Sequence, residues 1–167
     1  MSRDGTGLRG PHFINVDLEV WSRTDLRVLA DALRDKGFLL HDGKIRRKFM
    51  VCFEAGMCGP SSPEKRIWEL LDVVGALPLA ARRAWKAADS RVFSVGYSGG
   101  EFVTVLRERP VGSGRWFAAD PKRAARACET SLSPKLVAAV ARVGGTISTT
   151  IYPPTREETG RRSARAR

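Results

Sequence analysis

Two histidines and three cysteines are all the imidazole and thiol groups that this chain of 167 residues has. The histidines, His12 and His41, stand far apart, and neither has a companion at metal-ligand spacing. Cys52 and Cys58 have five residues between them, which is not a zinc-knuckle spacing, and Cys128 is remote from both. An odd, scattered set reads as free thiols in a reducing compartment. Cys52, inside Lys48-Phe-Met-Val-Cys-Phe-Glu54, reads as a small buried apolar residue. His41 reads as an exposed turn histidine with Asp42 as a local partner. The chain also lacks a His-Glu-x-x-His pair and a Walker-type phosphate loop. Gly96-Tyr-Ser-Gly99-Gly100 has the glycines of a phosphate cradle, but it follows a strand without opening a helix, so a turn is expected. No apolar run approaches the roughly 20 residues that cross a bilayer, and the first residues, Met1 to Pro11, have no signal-peptide core. The expectation is a cytoplasmic, non-enzymatic protein without metal or cofactor and with no membrane partner.

What is present is a well-punctuated globular pattern. His12 to Trp21 alternates: Ile14, Val16, Leu18 and Val20 face one way, and Asn15, Asp17, Glu19 and Trp21 the other. A helix follows, with Thr24 as its cap, Leu26, Leu29, Ala30 and Leu33 as its apolar stripe, and Gly37 as its stop. Two strands then join at Asp42-Gly43, a favoured hairpin pair. Phe49 to Phe53 is continuously apolar and reads as a central strand. Ser61 with Glu64, or Ser62 with Pro63, opens a helix whose stripe is Ile67, Leu70, Leu71 and Val74. Leu79 to Ala88 forms a second helix or continues the first beyond a kink. Arg91 to Tyr97 and Glu101 to Glu108 read as paired strands. Residues 107–130 are loop-rich, with a short helix at Asp120. Ser133 and Pro134 open a last helix that buries Leu136, Val137, Val140 and Val143. Gly144-Gly145 stops it, and Thr146 to Tyr152 is a β-branched strand. Residues 1–11 read as a flexible lead-in, 12–154 as one domain, and 155–167 as a disordered Arg-rich tail. The predicted fold class is α+β: a two-layer sandwich of a mixed, mostly antiparallel sheet with helices on one face.

Net charge is +11. The lead-in carries +1, the tail +3 and the body +7. Of 29 basic residues, 22 are Arg and 7 are Lys, in a chain rich in Ala and Gly. Two readings stay open: the codon choice of a GC-rich genome, or attraction to nucleic acid or another anionic surface.

Two surfaces are candidates for binding. With helices on one face only, the other face presents Asn15, Asp17, Glu19 and Trp21, and the last strand adds Ser148, Thr150 and Tyr152. Carboxylates and hydroxyls around an exposed Trp suit a protein partner, because aromatics are enriched among interface anchors. Paired carboxylates can also do acid–base work, but on the polar side of an amphipathic strand they read as solvated surface. The second candidate is a basic patch of Lys44, Arg46, Arg47 and Lys48 on the hairpin, with Arg82 and Arg83 on a helix. That patch makes nucleic acid a possible partner, although Phe49 and Phe53 read as buried rather than stacking. Trp68 and Trp85 read as core or interface filler.

Tyr97-Ser-Gly-Gly, Ser131-Leu-Ser-Pro-Lys-Leu-Val, Val143-Gly-Gly and the closing Ile151-Tyr152 together resemble the C-terminal half of a bacterial domain-of-unknown-function family. The Asp17 strand and Gly43-Lys-Ile-Arg are similar to it as well. The family consists of small α+β proteins, and some relatives look like immunity proteins encoded beside polymorphic toxins. The resemblance implies a binding protein that inhibits a partner, possessing no catalytic residues to carry over. The longer 107–130 segment and the Arg-rich tail depart from the family pattern. The alternative is a nucleic-acid-associated protein using the hairpin and the tail.

Overall fold

A computed structural model describes residues 12–56, 62–98 and 131–152. The expected lead-in, the tail, the strand at 101–108, the 107–130 segment, Cys58 and Cys128 lie outside these residues. The fold is α+β, and among the described residues it is an open five-stranded mixed sheet with four helices. In chain order the elements are β1 (His12–Ser22), α1 (Arg27–Leu33), β2 (Gly37–Ile45), β3 (Lys48–Ala55), α2 (Pro63–Gly75), α3 (Leu79–Ala87), β4 (Ser90–Ser98), α4 (Pro134–Arg142) and β5 (Thr146–Tyr152). The sheet order is β2-β3-β1-β4-β5. β3 runs antiparallel to both β2 and β1. The start of β4 meets the end of β1, where the Asp89 amide donates to the Trp21 carbonyl at 2.8 Å. β5 starts beside the start of β4, where the Thr146 hydroxyl donates to the Arg91 carbonyl at 3.3 Å. The helix between them makes the crossover that two strands running the same way require.

Alternation in β1 decides which face is covered. Val16, Leu18 and Val20 are buried, whereas Asn15, Asp17, Glu19 and Trp21 are half-buried. Register carries that choice into β3: Leu18 pairs with Phe53 and Val20 with Val51 on the covered side. The predicted stripes of α1 and α2 are buried as expected. Ser62, not Ser61, caps α2; its hydroxyl accepts from the Lys65 amide at 3.2 Å. A break at Ala76-Leu77-Pro78 makes α3 a separate helix. In α4, Leu136, Ala139 and Val140 are buried, while Val137 is exposed and Val143 half-buried.

Three local expectations are corrected. Thr24 does not cap α1. It bonds back to Ser22, and the Asp25 carboxylate takes the Arg27 amide at 2.8 Å instead. Gly37 does not stop that helix but begins β2, where a Cβ would collide with the Glu54 carbonyl and lie 2.8 Å from the Phe53 ring. The hairpin does not turn at Asp42-Gly43. Both residues stay in β2, Ile45 pairs with Lys48, and the turn is Arg46-Arg47. An irregularity between Leu39 and His41 inserts one extra residue into β2 and lets the strand run on.

Internal contacts group the chain into two compact units. Among the described residues the first holds 12–14, 97–98 and 151–152; within it the Phe13 and Tyr97 rings meet edge-on with centroids 6.0 Å apart. Among the described residues the second holds 15–56, 62–96 and 131–150, with helices α1 to α4. Its core is Leu18, Val20, Leu29, Leu33, Phe53, Ile67, Leu70, Phe93 and Leu136, all essentially without solvent exposure.

Candidate functional site

Pairing across β1, β3 and β2 builds a polar sheet face within the second unit. Glu19 pairs with Cys52 and Cys52 with His41, so the three side chains form one row. Trp21, Met50 and Gly43 form the next row towards the hairpin tip. Asp17 lies two residues before Glu19 and Glu54 two after Cys52, so both join the same face.

The electrostatics of this face are one-signed. Asp17 feels both Glu54 and Glu19, and none of the ion pairs among the described residues involves the three. Burial, then Glu54, then Glu19 push the Asp17 carboxyl up to about 6. The Asn15 amide donates to Asp17 Oδ1 at 2.8 Å, and the Trp21 indole donates to Glu19 Oε2 at 3.4 Å. Burial first, with help from the three carboxylates, pushes the Cys52 thiol up to about 12. Cys52 therefore stays a thiol at neutral pH, the opposite of an activated nucleophile. His41 beside it is half-buried, not an exposed turn residue, and its Nε2 has no hydrogen-bond partner among the described residues. Its expected partner, Asp42, instead accepts from Arg34 at 2.9 Å. Among the described residues no group of three or more His, Cys, Asp and Glu side chains is arranged to hold a metal ion.

The structure thus gathers Asn15, Asp17, Glu19 and Trp21 on one face and adds Glu54, which sequence reasoning missed. Its signal was the strand pairing, which single-strand alternation does not carry. Tyr152 is exposed at the end of β5 and belongs to the first unit, whereas the acidic cluster lies wholly in the second.

The basic patch divides. Lys44 pairs with Phe49 and holds its ammonium 5.8 Å from that ring. Arg46 and Arg47 project from the turn, and both are exposed. Lys48 binds Asp89 at 3.3 Å, a carboxylate it shares with Arg23 at 3.9 Å. Arg46, Arg47 and Lys48 line a shallow hollow together with Ile45 and Trp21. Trp21 therefore stands at the border of the acidic and basic regions. Arg82 is not part of the patch, because its guanidinium donates to the Leu77 carbonyl at 3.0 Å and closes the end of α2. Trp85 is buried core, and Trp68 lies beneath the Lys135 ammonium at 5.8 Å.

Two glycine patterns carry further chemistry in principle. Gly96-Tyr97-Ser98-Gly99-Gly100 spells Gly-x-Ser-x-Gly, the order of a nucleophile elbow, which needs its Ser exposed on a strand-to-helix turn. Ser98 is buried at the last position of β4, and residue 99 onward lies outside the described residues. Gly5-Thr-Gly-Leu-Arg-Gly10 has dinucleotide spacing, but it precedes the first strand, whereas that motif works between a strand and a helix. Among the described residues no helix is long and apolar enough to cross a membrane. Comparison with protein-family models, curated proteins and solved structures finds no match to this chain.

Proposed function

We propose that the protein works by binding rather than by chemistry, as an immunity-type inhibitor that holds a basic partner protein on the face bearing Asp17, Glu19 and Glu54. The observation that carries this reading is a cluster of three carboxylates without a described cation among them, on a chain whose net charge is +11. Like charges so close oppose one another, and a partner's Arg or Lys would relieve that repulsion while it docks. The Trp21 ring at the margin supplies apolar area of the kind that anchors interfaces. A protonated Cys52 thiol beside the carboxylates fits a recognition surface better than a nucleophilic one.

The test uses the products of the adjacent genes. One of them should arrest growth when expressed alone and be neutralised by co-expression of the wild-type protein. The variant Asp17→Lys/Glu19→Lys should fold, lose co-purification with that product and fail to protect. If no neighbouring product binds, or if the charge-reversed variant protects equally well, the reading fails.

A further inference from the structure

The hairpin tip adjoins the acidic cluster through Trp21, and it differs from that cluster in carrying cations where the cluster carries carboxylates. Four observations meet there. Trp21, Ile45, Arg46, Arg47 and Lys48 line one hollow, which brings an aromatic, an aliphatic and three cationic side chains together. The Trp21 indole is held in place by its hydrogen bond to Glu19 at 3.4 Å. Asp89 answers both Lys48 and Arg23, and no described carboxylate pairs with Arg46 or Arg47. Finally, Arg46 takes a left-handed backbone with φ 56 in a two-residue turn, a position that Asn or Gly fills with less strain. Strained residues that persist at a loop tip point toward use.

We infer that this hollow is a binding site for single-stranded nucleic acid, with a base stacked against Trp21 over Ile45 and the flanking phosphates held by Arg46 and Arg47. The chemistry favours that class over others. Every base has a flat π-face to offer an indole, and its backbone brings a negative charge at each step. Arginine, with five donors in a planar fork, suits phosphate oxygens. A duplex hides its base faces within the stack, and an acidic peptide or a lipid headgroup would use the arginines without the ring.

The experiment measures fluorescence anisotropy of labelled oligo-dT and oligo-rU of about twelve nucleotides with the full-length protein. Salt is varied between roughly 20 and 200 mM, and a duplex and anionic phospholipid vesicles serve as comparison arms. The wild type should bind both single strands at low salt and more tightly than the duplex. Trp21→Leu should weaken binding about tenfold, while Trp21→Phe keeps most of it. Arg46→Asn/Arg47→Ser should lower the slope of log affinity against log salt by about 1.4, the loss of two phosphate contacts. Asn suits the left-handed backbone of position 46, so this variant should stay folded. A chain shortened by residues 155–167 should keep its dependence on Trp21. The inference is overturned if neither oligonucleotide binds at low salt, or if Trp21→Leu binds as the wild type does. It is equally overturned if only the vesicles respond to the hairpin substitutions, or if deleting the tail removes all binding.

Discussion

Asp17 shows how one residue reports on its surroundings. Its carboxyl titrates near 6 because burial, Glu54 and Glu19 all disfavour its charged form. A carboxyl whose folded pKa is raised destabilises the fold when ionised. That penalty is complete above about pH 6 and disappears as pH falls towards 3.8, its ordinary value. Because the side chain is only about half-buried, solvent screening reduces the effect to on the order of 1 kcal/mol. Asp17→Asn keeps an acceptor for the Asn15 amide and removes the charge. It should therefore stabilise the protein by about 1 kcal/mol at pH 7.5 and by almost nothing at pH 4. Urea unfolding of both proteins at the two pH values measures this, and equal gains at both would show that the carboxylates do not oppose one another. Asp17 and Glu19 were legible as a pair because residues two apart share a strand face. Glu54 was not, because it reaches them only through a register that pairs Leu18 with Phe53.

At the scale of the element, the end of α4 is the most fully determined segment. The Gly144 amide donates to the Ala141 carbonyl at 2.9 Å and the Gly145 amide to Val140 at 3.0 Å, the two bonds of a Schellman stop. The adjacent glycines serve different needs. Gly144 has φ 71, so a side chain there is strained; Gly145 needs space, because a Cβ would lie 2.7 Å from the buried Phe93 ring. Gly144→Ala should cost about 1 kcal/mol. Gly145→Ala should cost up to about 3 kcal/mol, since a closed core must shift to admit it. Thermal unfolding of the two variants tests this ranking, and a milder effect at 145 would show that the Phe93 ring gives way. Capping chemistry made this stop readable from Gly-Gly alone. The tie that fastens it to the next element was not readable. Trp85 Nε1 donates to the Val143 carbonyl at 3.0 Å, and Arg91 donates to the carbonyls of Trp85, Lys86, Ala88 and Gly144. A guanidinium serving four carbonyls leaves no periodic trace in a sequence. The hairpin misled for the opposite reason: Asp-Gly is a strong local turn signal, and the extra residue near Leu40 together with the pairing to β3 overrode it.

For the molecule as a whole, charge and sheet edge bear on the same question. Among the described strands β2 is the outer one beside β3, and Phe38 and Leu40 on it are 47% and 53% exposed. An apolar outer strand invites pairing between chains unless something opposes it. Two features oppose it here. The irregularity between Leu39 and His41 disturbs the edge, and the net charge of +11 makes copies of the chain repel. Of these, only repulsion depends on salt. Raising salt from roughly 20 mM to 500 mM shortens the screening length from about 20 Å to about 4 Å, below the distance at which two edges meet. Light scattering should then show the mean mass rising with salt. Leu40→Lys should suppress the rise while leaving the thermal midpoint within about a degree of wild type, because an exposed leucine contributes little to the core. A mass independent of salt, or an equal rise in the variant, would assign edge protection to the strand irregularity alone. Charge composition was legible at once from the sequence. That an apolar strand lies at the edge was not, because strand order is a property of the assembled sheet.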